Sequence, residues 1–334
     1  MERVERDEAI PLWPVAFADV LAAERRLRPY LPPTPLRNYP ALDAFVGRGI
    51  EVWVKHENHN PTNSFKVRNA LSTMTLLSPE ARRAGVVAAT RGNHGLGVAY
   101  AGARLGVPVT VCVPFGNNPE KNADVRGLGA ELVEAGRDYD ESLAAAQSLV
   151  RERGLTLVHS TNDSNVIAGA ATLTLEILRE QPALDAIVVA VGGGSQAVGA
   201  ITVARTLRPT LRIYAVGAER ASAAHDAWHA GRPVTRPTAD TFADGLATRT
   251  VYDMTFEPLR RGLSDFVAAS EHEIAEALRA LLRTTHNLAE GAGAAGLAGL
   301  VRLSERLTGT RVAVVVSGGN IDAATLRRVV DGEI

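Results

Sequence analysis

Four short runs of β-branched and small apolar residues each lead through a turn into a helix-like stretch. Residues 86–89 precede Thr90-Arg91-Gly92-Asn93-His94-Gly95 and then 98–105, and residues 109–113 precede Pro114-Phe115-Gly116 and then 121–128. Residues 186–191 precede Gly192-Gly193-Gly194 and 198–207, and residues 312–316 precede Ser317-Gly318-Gly319 and 323–330. Strands that read as Val, Ile and Ala without polar alternation are buried on both faces, and such burial needs helices above and below a parallel sheet. The chain therefore reads as α/β, built from open, doubly wound parallel sheets.

A length of 334 residues corresponds to about two domains. The predicted division is a larger unit of residues 1–80 plus 156–334, with a smaller unit of 81–155 inserted into it and holding βα units of its own. Apolar residues make up 46%, which supplies a large core. Lys plus Arg is 36 and Asp plus Glu is 37, and a net charge of −1 argues against a nucleic-acid partner. The single cysteine, Cys112, excludes a disulfide framework and a Cys-rich zinc site. No apolar run approaches the ~20 residues that cross a bilayer. Residues 1–8 are charged and lack the apolar centre of a signal peptide. The expectation is a cytoplasmic protein with no membrane or nucleic-acid partner.

Three of the loops place glycine between a strand and a helix, at the edge where open parallel sheets bind ligands. Each alone reads equally as a tight turn; three in one chain point to a ligand. Gly192-Gly193-Gly194-Ser195 is the best anion cradle, because its amides approach a phosphate with no Cβ in the way and a helix follows. The same loop falls on a dinucleotide fingerprint through Gly192, Gly194 and Ala197, with Glu219 as the ribose-binding acid. That signal is short, degenerate and placed mid-chain. Lys66 sits between Phe65 and Val67, after Pro61-Thr62-Asn63-Ser64. An amine in apolar surroundings loses hydration, so its pKa falls and it becomes able to form a Schiff base. A lysine snorkelling from an amphipathic helix would show the same local pattern.

Lys55-His56-Glu57, followed by Pro61-Thr62-Asn63-Ser64-Phe65-Lys66-Val67-Arg68, resembles the cofactor-lysine motif of pyridoxal 5'-phosphate (PLP) enzymes of fold type II, the tryptophan synthase β-like superfamily. The order of the other landmarks is similar too. These are the asparagine loop Gly92-Asn93-His94-Gly95, the phosphate loop of residues 192–195, Ala243-Asp244-Gly245-Leu246-Ala247, Glu290-Gly291-Ala292-Gly293, and the serine loop Ser317-Gly318-Gly319-Asn320. The resemblance runs from about residue 34 to 330. Asn-His-Gly after Gly92 is similar to the threonine/serine dehydratase and serine racemase branch. It implies a carbon–nitrogen lyase, a PLP-dependent ammonia-lyase that eliminates water from a 3-hydroxy amino acid to give a 2-oxo acid and ammonia. The alternatives are β-replacement, racemisation or another β-substituted amino acid on the same fold (hydroxyaspartate or a bulkier 3-hydroxy amino acid). From another class there is an NAD-dependent oxidoreductase, which leaves Lys66 and the serine loop unused. The resemblance also implies a homodimer of the catabolic, single-module type, since the sequence stops soon after Val330.

By the same resemblance, Lys66 carries the cofactor and is the catalytic group. Phe65, Asn93, Glu290 and Ser317 adjoin its ring, and Gly192, Gly193, Gly194 and Ser195 hold its phosphate. Ser64, Thr90, Arg91, Gly92 and His94 are the expected substrate contacts. No metal is expected, because Glu219 alone offers a carboxylate where some relatives bind a divalent cation. Three positions depart from the family pattern. Asn69 stands where glycine is usual, Ser195-Gln196 where glycine and an apolar residue are usual, and Arg91 where racemases carry serine and many dehydratases alanine. A guanidinium stays protonated near neutral pH and cannot deliver a proton as a serine hydroxyl would. Poor racemisation is therefore expected.

Overall fold

A computed structural model describes residues 13–334, so the charged segment at residues 1–8 and the start of the larger unit lie outside the described residues. Ten strands are present among the described residues: β1 (Leu36–Asn38), β2 (Glu51–His56), β3 (Val86–Ala89), β4 (Val109–Val113), β5 (Glu131–Glu134), β6 (Thr156–Leu157), β7 (Ala186–Ala190), β8 (Arg212–Ala218), β9 (Asp265–Ala269) and β10 (Arg311–Val316). They form a six-stranded sheet in the order β1-β2-β10-β7-β8-β9 and a four-stranded sheet in the order β5-β4-β3-β6. Every pairing is parallel except that of β1, which runs antiparallel at the edge of the larger sheet.

The apolar strands behave as unalternated sequence requires. Along β10, Val312, Val314 and Val316 enter one core, while Ala313 and Val315 enter another on the opposite face. Side chains alternate sides along a strand, so a run of apolar residues feeds two cores at once. In the smaller sheet, Val86 and Ala88 join one cluster and Val87 and Ala89 the other.

The smaller unit is wider than residues 81–155. Its sheet takes in β6 at Thr156–Leu157, which pairs with Val86 and Val87 of β3. Helix Lys66–Met74, expected in the larger unit, buries Val67, Ala70, Leu71 and Met74 in the core that carries Val86, Ala88, Val109 and Val111. Its first turn is crossed closely by helix Asn93–Leu105, where a Cβ on Gly97 would lie 2.9 Å from the Lys66 carbonyl. Glycine is what lets those two helices meet at that depth.

A buried charge network sets the position of helix Lys66–Met74. Arg68 is 2% exposed and donates from Nε to Glu57 (2.7 Å) and from a terminal nitrogen to Glu176 (2.6 Å). Lys55 Nζ donates to Glu176 (2.5 Å) and to the Thr34 carbonyl (2.7 Å). Thr34 and Asn60 donate to the Glu57 carboxylate at 2.6 and 2.7 Å. Two cations thus meet two anions with nearly all lone pairs occupied. Burial alone would raise the Glu57 pKa, but the Arg68 charge and hydrogen bonds, with Lys55 and Thr34, hold it below its usual 4.5.

Removing one partner from such a network leaves an uncompensated buried charge. Arg68→Met is expected to cost about 3–5 kcal/mol, read as a lower urea midpoint at neutral pH. A shift worth under ~1 kcal/mol, the size of a surface pair, would contradict this assignment. A depressed carboxylate contributes stability above its unfolded pKa and loses it as pH falls through the folded value. The difference between wild type and Arg68→Met should therefore shrink as pH drops below about 4.5.

Candidate active site

Parallel pairing brings the carboxyl ends of β2, β10 and β7 to one edge of the larger sheet. The chain leaves β2 toward Lys66, β10 toward Ser317, and β7 toward Gly192. The loop after β3 in the smaller sheet closes the opposite side. Phe65, Lys66, Thr90, Arg91, Gly92, Asn93, His94, Gly192, Gly193, Gly194, Ser195, Glu290 and Ser317 all line the one cavity between the sheets. Ser64 does not. It is fully buried beneath that surface, accepts from the Lys66 amide at 3.3 Å and pairs with Gly318 in a short antiparallel bridge. Those bonds tie it to Lys66 and to the serine loop.

The loops are stitched to one another. The Phe65 amide donates to the Ser317 carbonyl (3.0 Å), and the Gly319 amide to the Asn63 carbonyl (2.9 Å). Asn63 takes the left-handed conformation (φ 51°), which asparagine tolerates better than most residues. Side-chain amides then run across the cavity wall. Asn63 donates to Asn320 (3.2 Å), Asn320 to Asn93 (2.7 Å), and Asn93 to Glu290 (2.5 Å). Four segments from distant parts of the sequence are thereby held in fixed relation.

Lys66 begins its helix at the cavity floor, with its aliphatic stem enclosed. Burial pushes its amine down to about 8. Nζ donates to the Ser160 carbonyl at 2.9 Å and meets no carboxylate. Its ammonium form therefore lacks the stabilisation that Arg68 and Lys55 receive. Glu290, also enclosed, is pushed up to about 7 by burial, against the pull of Lys121 and the Asn93 hydrogen bond. The cavity thus holds an amine and a carboxyl that both change charge near neutrality.

The glycine loop opens helix Ser195–Leu207, and Gly194 has φ 98°, a conformation that a side chain would strain. Gln196 is 3% exposed, lines the cavity, and its Nε2 has no partner. Asn69, fully buried, donates to Ser195 Oγ at 3.5 Å. Ser317 donates to the Ala292 carbonyl across 3.3 Å. An amine with no carboxylate partner, a cradle of backbone amides and a free buried amide donor suit a ligand that carries both an aldehyde and a phosphate.

Several lining residues carried no local signal. Lys121 reaches Asp244 at 2.8 Å, joining helix Pro119–Gly127 of the smaller unit to the larger one. Arg249 pairs with Asp138 at 3.1 Å and with Asp140 across the same cleft. Tyr139 donates to or accepts from Ser160 Oγ (2.9 Å) and lines the cavity with Tyr252. Asp244 does lie in a motif read from the sequence, whereas its partner Lys121, 123 positions away, does not.

His94 is buried and its Nε2 lies 2.8 Å from the Val158 carbonyl, so Nε2 carries the hydrogen. Burial and the nearby Lys66 charge push its pKa down to about 3. Nitrogen NMR of histidine-labelled protein should show the His94 ring neutral with the Nε2–H tautomer from pH 5 to 8 (about the range in which histidine ordinarily titrates), beside the His56 and His159 rings that burial also holds down to about 4. The absence of that signal in His94→Gln would assign it. A His94 ring that titrates near its usual 6.5 would place it outside this pocket.

Comparison with known proteins agrees with this donor set. Residues 27–318 match the family described as pyridoxal-phosphate dependent enzyme. The chain is 41% identical to an L-threonine ammonia-lyase of Geobacter sulfurreducens over 85% of its own length and 70% of that protein's. It is 33% identical to an L-threo-3-hydroxyaspartate ammonia-lyase of a Pseudomonas species, over 92% and 96% of the two chains. Among solved structures, the threonine deaminase isoform 2 of Solanum lycopersicum, in its processed form, superposes with a TM-score of 0.89 at 29% identity, over 98% of this chain and 89% of that one. By the extent of that family match and the depth of these identities, the chain belongs to the pyridoxal-phosphate dependent enzymes.

Proposed function

We propose that this protein is a PLP-dependent ammonia-lyase that removes water from a 3-hydroxy amino acid. The observation that carries the reading is Lys66, an enclosed amine with no carboxylate partner, facing the glycine loop and Ser317 across one cavity. The residues present fit the cofactor. Lys66 would bind its aldehyde carbon, and Gly192, Gly193, Gly194 and Ser195 its phosphate, with Gln196 Nε2 as a further donor. An amide nitrogen carries two hydrogens, so Asn93 keeps one for a ring oxygen after donating to Glu290. Bound there, PLP would supply an electron-withdrawing ring conjugated to the amino acid nitrogen.

The protein's own groups account for the choice of elimination. Lys66 Nζ, neutral above about pH 8, is placed to take the proton from the substrate Cα. Ser317 offers a hydroxyl where a carboxylate would hold a ring nitrogen protonated, so it stabilises less negative charge at that end. Weak stabilisation favours prompt departure of a β-substituent over slower reactions at Cα. The Cα–H and Cβ–OH bonds break, a Cα=Cβ bond forms and water leaves. The released enamine tautomerises and hydrolyses to a 2-oxo acid and ammonia. Lys121–Asp244 and Arg249–Asp138 span the cleft and hold the smaller unit over the cavity, which supports exclusion of bulk water during the reaction.

Incubation with L-serine, L-threonine and 3-hydroxyaspartate, with ammonia and 2-oxo acid measured together, tests the reading. Equal yields of both products support it, and their absence on all three substrates sinks it. Lys66→Ala should lose the visible absorbance of the holoenzyme and at least about 10³-fold in turnover. The neutral amine is the form that captures an aldehyde. The rate at which apoprotein takes up PLP should therefore rise with pH and level off above about 8. A rate still climbing steeply toward pH 10 would indicate an ordinary exposed lysine.

A further inference from the structure

We propose that Tyr139 is a positioning residue for proton transfer at Lys66: it holds Ser160 so that the Ser160 carbonyl receives the Lys66 amine whenever that amine is free of the cofactor. The inference rests on the ammonia-lyase reading above. Lys66 Nζ donates to the Ser160 carbonyl at 2.9 Å, its one hydrogen-bond acceptor among the described residues. The hydroxyl of the same serine is engaged by Tyr139, whose phenol oxygen lies 2.9 Å from Ser160 Oγ. One residue thus meets the amine with its backbone and a tyrosine with its side chain.

Ser160 stands in the turn through which the chain passes from β6 of the smaller sheet to helix Ser164–Glu180. The turn is fastened on either side of it. The Val158 carbonyl accepts from His94 Nε2 (2.8 Å), His159 Nδ1 accepts from the amides of Thr161 (2.9 Å) and Asn162 (2.8 Å), and Asn162 accepts from the Met254 amide (3.1 Å). Tyr139 opens helix Tyr139–Arg153, capped by Asp138, which accepts the Glu141 amide at 3.1 Å and meets Arg249 of the larger unit at 3.1 Å. The ion pair across the cleft therefore places the phenol, the phenol places Ser160, and Ser160 places the amine.

The reaction gives that placement a use. When the neutral Nζ takes the proton from Cα, the electrons of the C–H bond stay with the substrate, and Nζ gains a hydrogen and a positive charge. No carboxylate meets that charge. The titratable groups around it are uncharged near neutral pH: burial pushes His94 down to about 3 and His159 to about 4, and raises the Tyr139 and Tyr252 phenols above their usual range. The ammonium is left with the face of the Phe65 ring, 5.1 Å from Nζ, and the Ser160 carbonyl. A hydrogen bond from a charged donor is stronger than one from a neutral donor, so a carbonyl held in place favours the amine's protonated form and with it the proton transfer.

The test compares wild type with Tyr139→Phe, Ser160→Ala and the double variant. Tyr139→Phe keeps the ring and removes only the hydroxyl. On the 3-hydroxy amino acid that wild type turns over fastest, each single variant should lower kcat about three- to tenfold, the worth of one hydrogen bond. KM should stay within about twofold, and the isotope effect of deuterium at Cα should grow. The double variant should lose no more than either single one, because both remove the same bond. Ser160→Thr, which keeps a hydroxyl, should restore most of the loss seen in Ser160→Ala. A second measurement does not depend on turnover. PLP uptake by apoprotein, half-maximal near pH 8 in wild type, should have its midpoint lowered by about 0.5–1 in Tyr139→Phe, since a bond to the charged form of the amine is weakened. An unchanged midpoint together with kcat within about twofold of wild type overturns the proposal. Losses that multiply in the double variant overturn it too, because they would give Tyr139 and Ser160 separate tasks. A lowered midpoint, with no ammonia or 2-oxo acid formed by wild type from any 3-hydroxy amino acid, would leave the Tyr139 assignment standing and remove the ammonia-lyase reading.

Discussion

The ion network of Lys55, Glu57, Arg68 and Glu176 fixes the element on which the site depends. Two carboxylates and two cations are withdrawn from water together, and their mutual hydrogen bonds offset that cost only in one geometry. Lys55 and Glu57 lie on and just after β2, Glu176 on the long helix Ser164–Glu180, and Arg68 two residues beyond Lys66. The network therefore ties the helix that presents Lys66 to both a strand and a buried helix. A displacement of Arg68 by one residue would leave charges unpaired, so the register of Lys66 is set by electrostatics as much as by apolar packing.

Against that background the isolation of Lys66 is chemically informative. The fold pairs its buried cations closely, yet gives Lys66 Nζ only a backbone carbonyl and the face of the Phe65 ring, with no carboxylate. Burial without a counter-charge is what lowers an amine's pKa. The protein thus concentrates compensation two residues away and withholds it at the position where a neutral amine has a use. Glu290 shows the complementary choice. Its carboxyl is enclosed and receives an amide donor rather than a direct cation, which leaves it close to neutrality.

How much of this was legible in the sequence follows from the range of the interactions involved. The core strands were readable because their apolar runs feed two cores, a property written into consecutive residues. The glycine loops were readable because strand, glycine and helix are contiguous. β6, two residues long, has no such pattern and left the boundary of the smaller unit short at 155. Helix Lys66–Met74 packs Val67 and Leu71 against the core of Val86 and Ala88 while Arg68 reaches Glu176 of helix Ser164–Glu180, a double attachment that no local pattern shows. Ser64 lies next to Phe65 and Lys66 in sequence, yet its burial and its bridge to Gly318 depend on a loop more than 250 residues away. The Lys121–Asp244 pair and the Asn63–Asn320–Asn93–Glu290 chain join residues far apart in sequence, and no local spacing announces them.

The bonding between the loops explains how the site keeps its geometry. Lys66, Ser317, Glu290 and the glycine loop are bonded to each other's backbones or to adjoining strands of the larger sheet, so a change in one disturbs all. Arg91 lies on the loop after β3, two residues before Asn93, and its side chain is exposed. Thr90, beside it, keeps the loop in shape by accepting from the Gly92 amide at 2.8 Å. The cavity is thus lined by loops whose backbones are bonded to one another and to the strands beneath them, the arrangement expected when function is carried by loops on a rigid scaffold.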